Sequence, residues 1–113
     1  MALAPSDTPC FPWPLPEALQ QLATDGGAAL VIEILDLFVS DTCRRLRSLR
    51  EALERGDPVR LKAQAHAVKG SAIQVGADSL AALCLELELN AGPDLLVQEV
   101  EVEFERLCAL HLG

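Results

Sequence analysis

Aromatic residues are scarce in this chain: one Trp, three Phe and no Tyr occur among 113 residues, although half of the residues are hydrophobic. Strands are enriched in aromatic and β-branched residues, whereas Leu and Ala are good helix formers. The composition therefore favours a helical fold over a sheet. The length suits one domain.

Basic residues are also few, because nine Lys and Arg stand against 17 Asp and Glu, which gives a net charge of −8. This balance argues against nucleic acid as a partner, since nucleic-acid binding needs a cationic surface, and against docking on anionic membranes. Eight of the nine bases lie within residues 44–69, whereas the segments on both sides are acidic. We expect this positive window to contact any anionic group or partner.

Long apolar runs and metal-ligand patterns are missing as well. The run at residues 28–32 is cut by Glu33, and the start of the chain lacks the basic region and apolar core of a signal peptide. The four cysteines form no CxxC pair and there are two histidines, which argues against a disulfide framework and a zinc site. We expect reduced thiols in a cytoplasmic protein, with no metal or cofactor of its own. Met1 and the proline-rich start favour a free-standing protein.

Turn signals divide the chain into helices. Five of the seven prolines lie between Pro5 and Pro16, so we predict a proline-rich N-terminal extension over residues 1–15, which packs Phe11 or Trp13 onto the folded domain of residues 16–113. Hydrophobic periodicity, with turns between the segments, predicts helices over about 16–23, 28–55, 58–75, 78–90 and 94–110.

Short connections between long amphipathic helices imply antiparallel neighbours. We therefore predict an all-α fold: an antiparallel up-down four-helix bundle with a short N-terminal helix or extension. The residues predicted to face its core are Val31, Leu35, Phe38, Thr42, Leu46, Leu49, Leu53, Leu61, Ala65, Val68, Ala72, Val75, Leu80, Leu83, Cys84, Leu87, Leu96, Val100, Phe104 and Leu107.

The helix predicted over residues 58–75 has a second stripe, about 100° or more around from its core face. This stripe predicts an outward-pointing histidine beside two lysines, and its members are Val59, Lys62, His66, Lys69, Gly70 and Ile73. A histidine side chain is partly unprotonated near pH 7 and can act as a nucleophile. The alternative is an ordinary solvated helix surface.

Gly70 is unusual, because glycine inside a helix costs about 1 kcal/mol relative to alanine. The missing side chain would let the backbone of another molecule approach His66. Lys69 can place its ammonium near a group attached to the ring, and Val59 and Ile73 would give an apolar rim for docking. No nucleotide-binding motif is present, and no carboxylate cluster surrounds His66 in sequence.

Residues 65–77, which read AHAVKGSAIQVGA, resemble the signature AHxLKGSxxxxGA of histidine-containing phosphotransfer (HPt) domains. Residues 33–38, residues 46–58 and the Leu80, Cys84, Leu87, Glu88 spacing also resemble this family, so the resemblance covers about residues 17–110. It implies a four-helix bundle whose exposed histidine accepts a phosphoryl group from a receiver-domain aspartate and passes it to another.

The resemblance also implies roles for single residues. His66 maps onto the phosphorylated histidine, Lys69 onto the lysine that neutralises the phosphoryl oxygens, and Gly70 onto the glycine that clears space for the receiver. Ser71 matches the polar residue that follows and is a candidate supporting residue. Ala67 stands where many members have a polar or basic residue, which is expected to affect partner choice.

The expected partners are response-regulator receiver domains, hybrid sensor histidine kinases or both, docking through Val59, Lys62 and Ile73. The Mg²⁺ ion and its acidic pocket are expected on the receiver, and the protein is expected to be a monomer. The main alternative is a helical adaptor that binds a receiver or a kinase without carrying phosphate. A small hydrolase or metalloenzyme ranks last, because no second catalytic group lies near His66 in sequence.

Overall fold

The computed structural model of the chain describes residues 11–89 and 92–112. Its helices are α1 (Glu17–Leu22), α2 (Ala28–Glu54), α3 (Pro58–Val75), α4 (Asp78–Leu89) and α5 (Pro93–Leu112). Residues 1–10 of the predicted extension lie outside the described residues. So do Asn90, the predicted end of the fourth helix, and Ala91 in the turn that follows.

The helix ends follow from the turn residues, and each described boundary lies within two residues of its predicted place. Asp57 caps α3 by accepting a hydrogen bond from the backbone N–H of Arg60 at 3.1 Å, and Pro58 occupies the first helical position. Gly76 ends α3 in the left-handed conformation, with φ of 78°. These features set the start and the end of the helix that carries His66.

The predicted turn at residues 24–27 is a π-helical turn over Ala23–Gly27, between α1 and α2. Gly26 has φ of 95°, a left-handed conformation that glycine adopts readily, and this interrupts the regular helix. The short first helix is thereby separated from the long second one.

Helices α2 to α5 form the predicted four-helix bundle: each helix packs on the next, and α5 packs back on α2. The described residues contain no strand, so the all-α prediction is confirmed. Short turns between helices of 12 to 27 residues make the neighbours antiparallel. None of the described helices is long and apolar enough to cross a membrane.

The predicted core residues pack inward, but at three places the most buried residue is a neighbour that was not predicted. Val97, and not Leu96, is the fully buried residue in the first half of α5, because positions 97, 100, 104 and 107 share one stripe and Leu96 lies beside it. Similarly, Ala52 is buried where Leu53 is half-buried, and Ala81 is buried where Leu83 is half-buried. In each pair the smaller residue is buried in the core, and the leucine packs against the core while remaining partly exposed.

Residues 11–16, which we call the N-terminal strap, cover one end of the bundle. The prediction that Phe11 or Trp13 packs on the body is confirmed, since Trp13 is buried and Phe11 is half-buried. The Trp13 Nε1–H donates to the backbone oxygen of Val75 at 2.8 Å, and its ring meets that of Phe38 edge-on. The strap therefore supplies a partner for a carbonyl that the end of α3 would leave unbonded.

Candidate functional site

The second stripe of α3 lies at the surface beside α4. The side chain of His66 is 70% exposed, and the flanking Val59 and Ile73 are exposed by 79% and 56%. Lys62, one turn before His66, is exposed and makes no ion pair with a described residue. The stripe therefore combines an accessible imidazole, an unpaired cation and two apolar side chains.

Glu88 of α4 contacts both His66 and Lys69, although it was not among the predicted site residues. One carboxylate oxygen, Oε2, lies 3.0 Å from His66 Nδ1, and the other, Oε1, lies 2.7 Å from Lys69 Nζ. The side chains of Lys69 and Glu88 are only about one-fifth exposed, at 21% and 19%. We call this arrangement the His66–Glu88–Lys69 bridge.

The topology of the bundle explains why Glu88 reaches this position. Helices α3 and α4 run antiparallel on either side of the turn at residues 76–77. His66 precedes that turn by about as many residues as Glu88 follows it, so the two stand at the same level. Because the turn at residues 76–77 was predicted, counting equally far from it along both helices would have placed Glu88 opposite His66. Glu88 follows the core residue Leu87 in the sequence.

The bridge holds Glu88 in its ionised form. The close contact with the Lys69 ammonium is the largest cause of a lowered pKa at Glu88, and the contact with His66 lowers this pKa further. Partial burial opposes both effects and raises the pKa, but the net direction is downward. A charged acceptor therefore faces Nδ1 across the physiological pH range.

An ionised carboxylate can only accept hydrogen bonds, so the contact at 3.0 Å is made when Nδ1 carries the proton. In the neutral ring the lone pair then lies on Nε2. No described residue bonds to Nε2. The arrangement can therefore present an unprotonated ring nitrogen to an electrophile that approaches from solvent.

Gly70 leaves a gap beside His66 that the protein itself does not require. A Cβ atom built there would have no described atom within 4 Å, apart from its own helix backbone and chain neighbours, and the residue keeps a negative φ. Neither packing nor backbone strain thus demands glycine at this position. The gap is available to an incoming molecule.

Ser71 is not brought together with His66. It is half-buried and lies about 140° around α3 from His66, on the flank that carries Gln64. That flank faces α2, where Gln64 donates to Ser48 Oγ at 3.3 Å. Ser71 therefore belongs to the seam between α2 and α3, away from the exposed imidazole.

Two leucines of α4 extend the apolar rim beyond the residues found from the sequence. Leu85 and Leu89 lie one turn apart near Glu88 and are exposed by 43% and 75%. Their exposed side chains lie on the α4 side of His66, whereas Val59 and Ile73 lie on its α3 side. Apolar groups therefore flank the histidine on two helices.

The positive window of residues 44–69 carries fewer unpaired cations in the structure than its sequence suggests. Within it, Lys69 pairs with Glu88, Arg50 pairs with Glu101, and both Arg44 and Arg45 pair with Asp41. Among the described residues, the cations that remain without an ion pair are Arg47, Arg55, Arg60 and Lys62. Lys62 is the one on the second stripe of α3.

No group of three or more His, Cys, Asp or Glu side chains within residues 11–89 and 92–112 is placed to hold a metal ion. The observed contacts bring together an imidazole, a carboxylate and an ammonium, those of His66, Glu88 and Lys69.

Comparison with known proteins places most of the bundle in one family. The Hpt domain family model matches residues 33–111, which include the bridge and all of α3, α4 and most of α5. The solved structure of histidine-containing phosphotransfer protein B (HptB) from Pseudomonas aeruginosa PAO1 superposes with a TM-score of 0.76 at 32% identity. That match covers 87% of this chain and 90% of the other.

Two curated relatives come from Arabidopsis thaliana. Histidine-containing phosphotransfer protein 2 is 30% identical in an alignment of 98 residues that covers 79% of this chain, and histidine-containing phosphotransfer protein 4 is 35% identical in an alignment of 68 residues that covers 58% of it. The matches span 63% and 54% of those relatives, so the chain covers less than two thirds of their length.

Proposed function

The chain belongs to the HPt domain family, and on that premise we propose that it is a phosphorelay carrier whose His66 receives a phosphoryl group from a receiver-domain phosphoaspartate and passes it to another receiver. The observation that carries this proposal is the His66–Glu88–Lys69 bridge, which leaves Nε2 of an exposed imidazole free. The chain acts as a carrier and not as a nucleotide-dependent kinase.

In the proposed transfer, the Nε2 lone pair of His66 attacks the phosphorus atom, and the bond between phosphorus and the aspartate oxygen breaks. The aspartate leaves as a carboxylate, and the phosphorylated ring carries a positive charge while Nδ1 keeps its proton. Glu88 accepts the hydrogen bond from Nδ1 and stabilises that charge. Such a reaction depends on positioning and charge stabilisation more than on other covalent chemistry.

Lys69 has a second task in this proposal. Its ammonium lies one helical turn from His66 and pairs with Glu88 before transfer. When a phosphoryl group arrives, the lysine can exchange the carboxylate for phosphoryl oxygens, which carry more negative charge. The loss of Lys69 would leave that charge less well neutralised.

The receiver would dock on the surface around His66. The missing side chain at Gly70 leaves room for the backbone of the receiver. Apolar contacts would come from Val59, Ile73, Leu85 and Leu89. Lys62 would attract the acidic pocket that binds Mg²⁺ on the receiver. We propose that the protein performs this transfer as a monomer in the cytoplasm, with receiver domains or hybrid sensor kinases as partners.

Phosphotransfer from a receiver domain labelled with radioactive phosphate tests the proposal. The wild-type protein should gain an acid-labile, alkali-stable label, and His66→Gln should gain none. His111→Gln is the matched control, since it removes the only other histidine and should keep the label. Glu88→Gln should transfer roughly tenfold more slowly, because the acceptor at Nδ1 loses its charge.

Label on His66→Gln equal to that on the wild type would disprove the assignment. Receiver binding without any label on the wild type would favour the adaptor instead.

A further inference from the structure

Two cysteines lie on neighbouring helices, on the side of the bundle away from His66. Cys43 lies on α2 and Cys108 lies on α5, and both are half-buried against the core. Neither belongs to the bridge, which joins α3 to α4. Their relation follows from how α2 and α5 pair.

Two contacts join these antiparallel helices on either side of the cysteines, and the one between Arg50 and Glu101 gives their register. Arg50 pairs with Glu101, with Nε 3.0 Å from Oε2, and His111 Nε2 lies 2.6 Å from Asp36 Oδ1. Cys43 lies seven residues before Arg50 and Cys108 lies seven residues after Glu101. Seven residues are close to two helical turns, so both steps lead to the same level and nearly the same face. The cysteines therefore stand opposite each other between the two contacts.

Solvent reaches this part of the seam. Cys43 lines an open groove between α2 and α5 together with Phe104 and Glu105 of α5. Cys108 follows Phe104 by one turn. A small oxidant in the groove would meet Cys43 first.

The electrostatics agree with this proximity. Burial is the main cause of a raised pKa at Cys108, and the neighbouring Cys43 and Glu105 raise it further. Cys108 is therefore mainly a thiol at neutral pH, and its attack on an oxidised neighbour depends on how close the two sulfurs lie. Cys84 offers a contrast within the chain: it is fully buried, and burial raises its pKa to about 12.

We propose that Cys43 and Cys108 form a reversible disulfide that links α2 to α5 when the protein meets a peroxide. The sulfur of Cys43 attacks one peroxide oxygen, the O–O bond breaks, and a sulfenic acid and water form. The sulfur of Cys108 then attacks the sulfenic sulfur, the S–O bond breaks, and its proton leaves with the oxygen as a second water. Two thiols lose two electrons and one peroxide gains them.

Hydrogen peroxide treatment of the full chain, followed by alkylation in denaturant and peptide mass analysis, tests this. Trypsin leaves Cys10 and Cys43 in one peptide, so Cys10→Ser is the background in which the link is assigned. We expect a mass loss of two hydrogens, a peptide pair joining Cys43 to Cys108, and an alkylated Cys84. The thermal midpoint should rise on the order of 10 °C and return with dithiothreitol.

Cys43→Ser and Cys108→Ser should each abolish the link and the thermal shift. Independent alkylation of both cysteines after peroxide, or a link that involves Cys84 or a second molecule, would overturn the proposal. Because the cysteines lie outside the bridge, the result does not depend on whether His66 carries phosphate.

Discussion

At the scale of single residues, glycine at position 70 is not required for the stability of the fold, but it leaves open space beside His66. Its site has room for a methyl group and ordinary helical geometry, so Gly70→Ala should stabilise the protein by about 1 kcal/mol in urea unfolding. The same methyl group would stand beside His66 and should slow transfer from a receiver several-fold. Unchanged transfer in Gly70→Ala would remove the gap from the docking proposal.

Gly76→Ala is the matched control for that prediction. Gly76 has φ of 78°, and an added Cβ would lie 2.8 Å from the backbone oxygen of Pro14. Alanine there should therefore destabilise the protein by more than about 1 kcal/mol. The two glycines should respond in opposite directions.

The sequence predicted where His66, Lys69 and Gly70 lie, because these residues share one helix and helical periodicity fixes their relative positions. It did not predict Glu88 as a site residue, since that carboxylate comes from another helix and reaches the imidazole only through the pairing of α3 and α4. The ion pair of Lys69 was missed for the same reason. To predict a contact between two helices, one must know how the helices are aligned along each other, and the hydrophobic pattern of a single helix does not give that register.

At the scale of elements, the strap and the end of α3 depend on each other. Trp13→Ala removes a buried ring, its contact with Phe38 and the hydrogen bond to Val75, so it should destabilise the protein by about 3–5 kcal/mol. Trp13→Phe keeps much of the packing and should cost about 1 kcal/mol for the lost hydrogen bond, together with some packing. Chemical denaturation measures the free energy of unfolding of both variants. Equal losses of stability in Trp13→Ala and Trp13→Phe would show that packing of the ring does not contribute.

Helix boundaries were predictable because glycine, proline and a capping aspartate stand at the turns, and these residues act locally. It was harder to predict which residues at the edges of the apolar helix faces are fully buried. Leu96 and Val97 are both apolar, and only the packing of α5 against α2 and α4 decides which one is fully buried. Side-chain size did not decide it, since the smaller residue occupies the core.

At the scale of the whole molecule, charge is distributed so that a cation lies near His66 on an acidic protein. The net charge of −8 is known from the sequence, but the pairing of Arg50 and Lys69 is not, because their partners lie on α5 and α4. Lys62 is consequently the unpaired cation of the second stripe. Docking of an acidic receiver pocket should depend on it.

Raising ionic strength from about 0.05 M to 0.5 M should therefore slow association with a receiver, since screening shortens the range of the attraction. The transfer step within the complex should change little. Stopped-flow measurements over receiver concentration separate the two steps. Lys62→Gln should lower the association rate at low salt and weaken its salt dependence, and a salt-independent rate in the wild type would argue against steering.

The scarcity of aromatic residues has an optical consequence. Trp13 is the only tryptophan and there is no tyrosine, so the intrinsic fluorescence of the protein has a single main emitter. That indole belongs to the strap and is buried at the end of the bundle. It donates a hydrogen bond to the backbone oxygen of Val75 and packs near Phe38 and His111. Its emission reports whether the strap is seated on the bundle, without any added label.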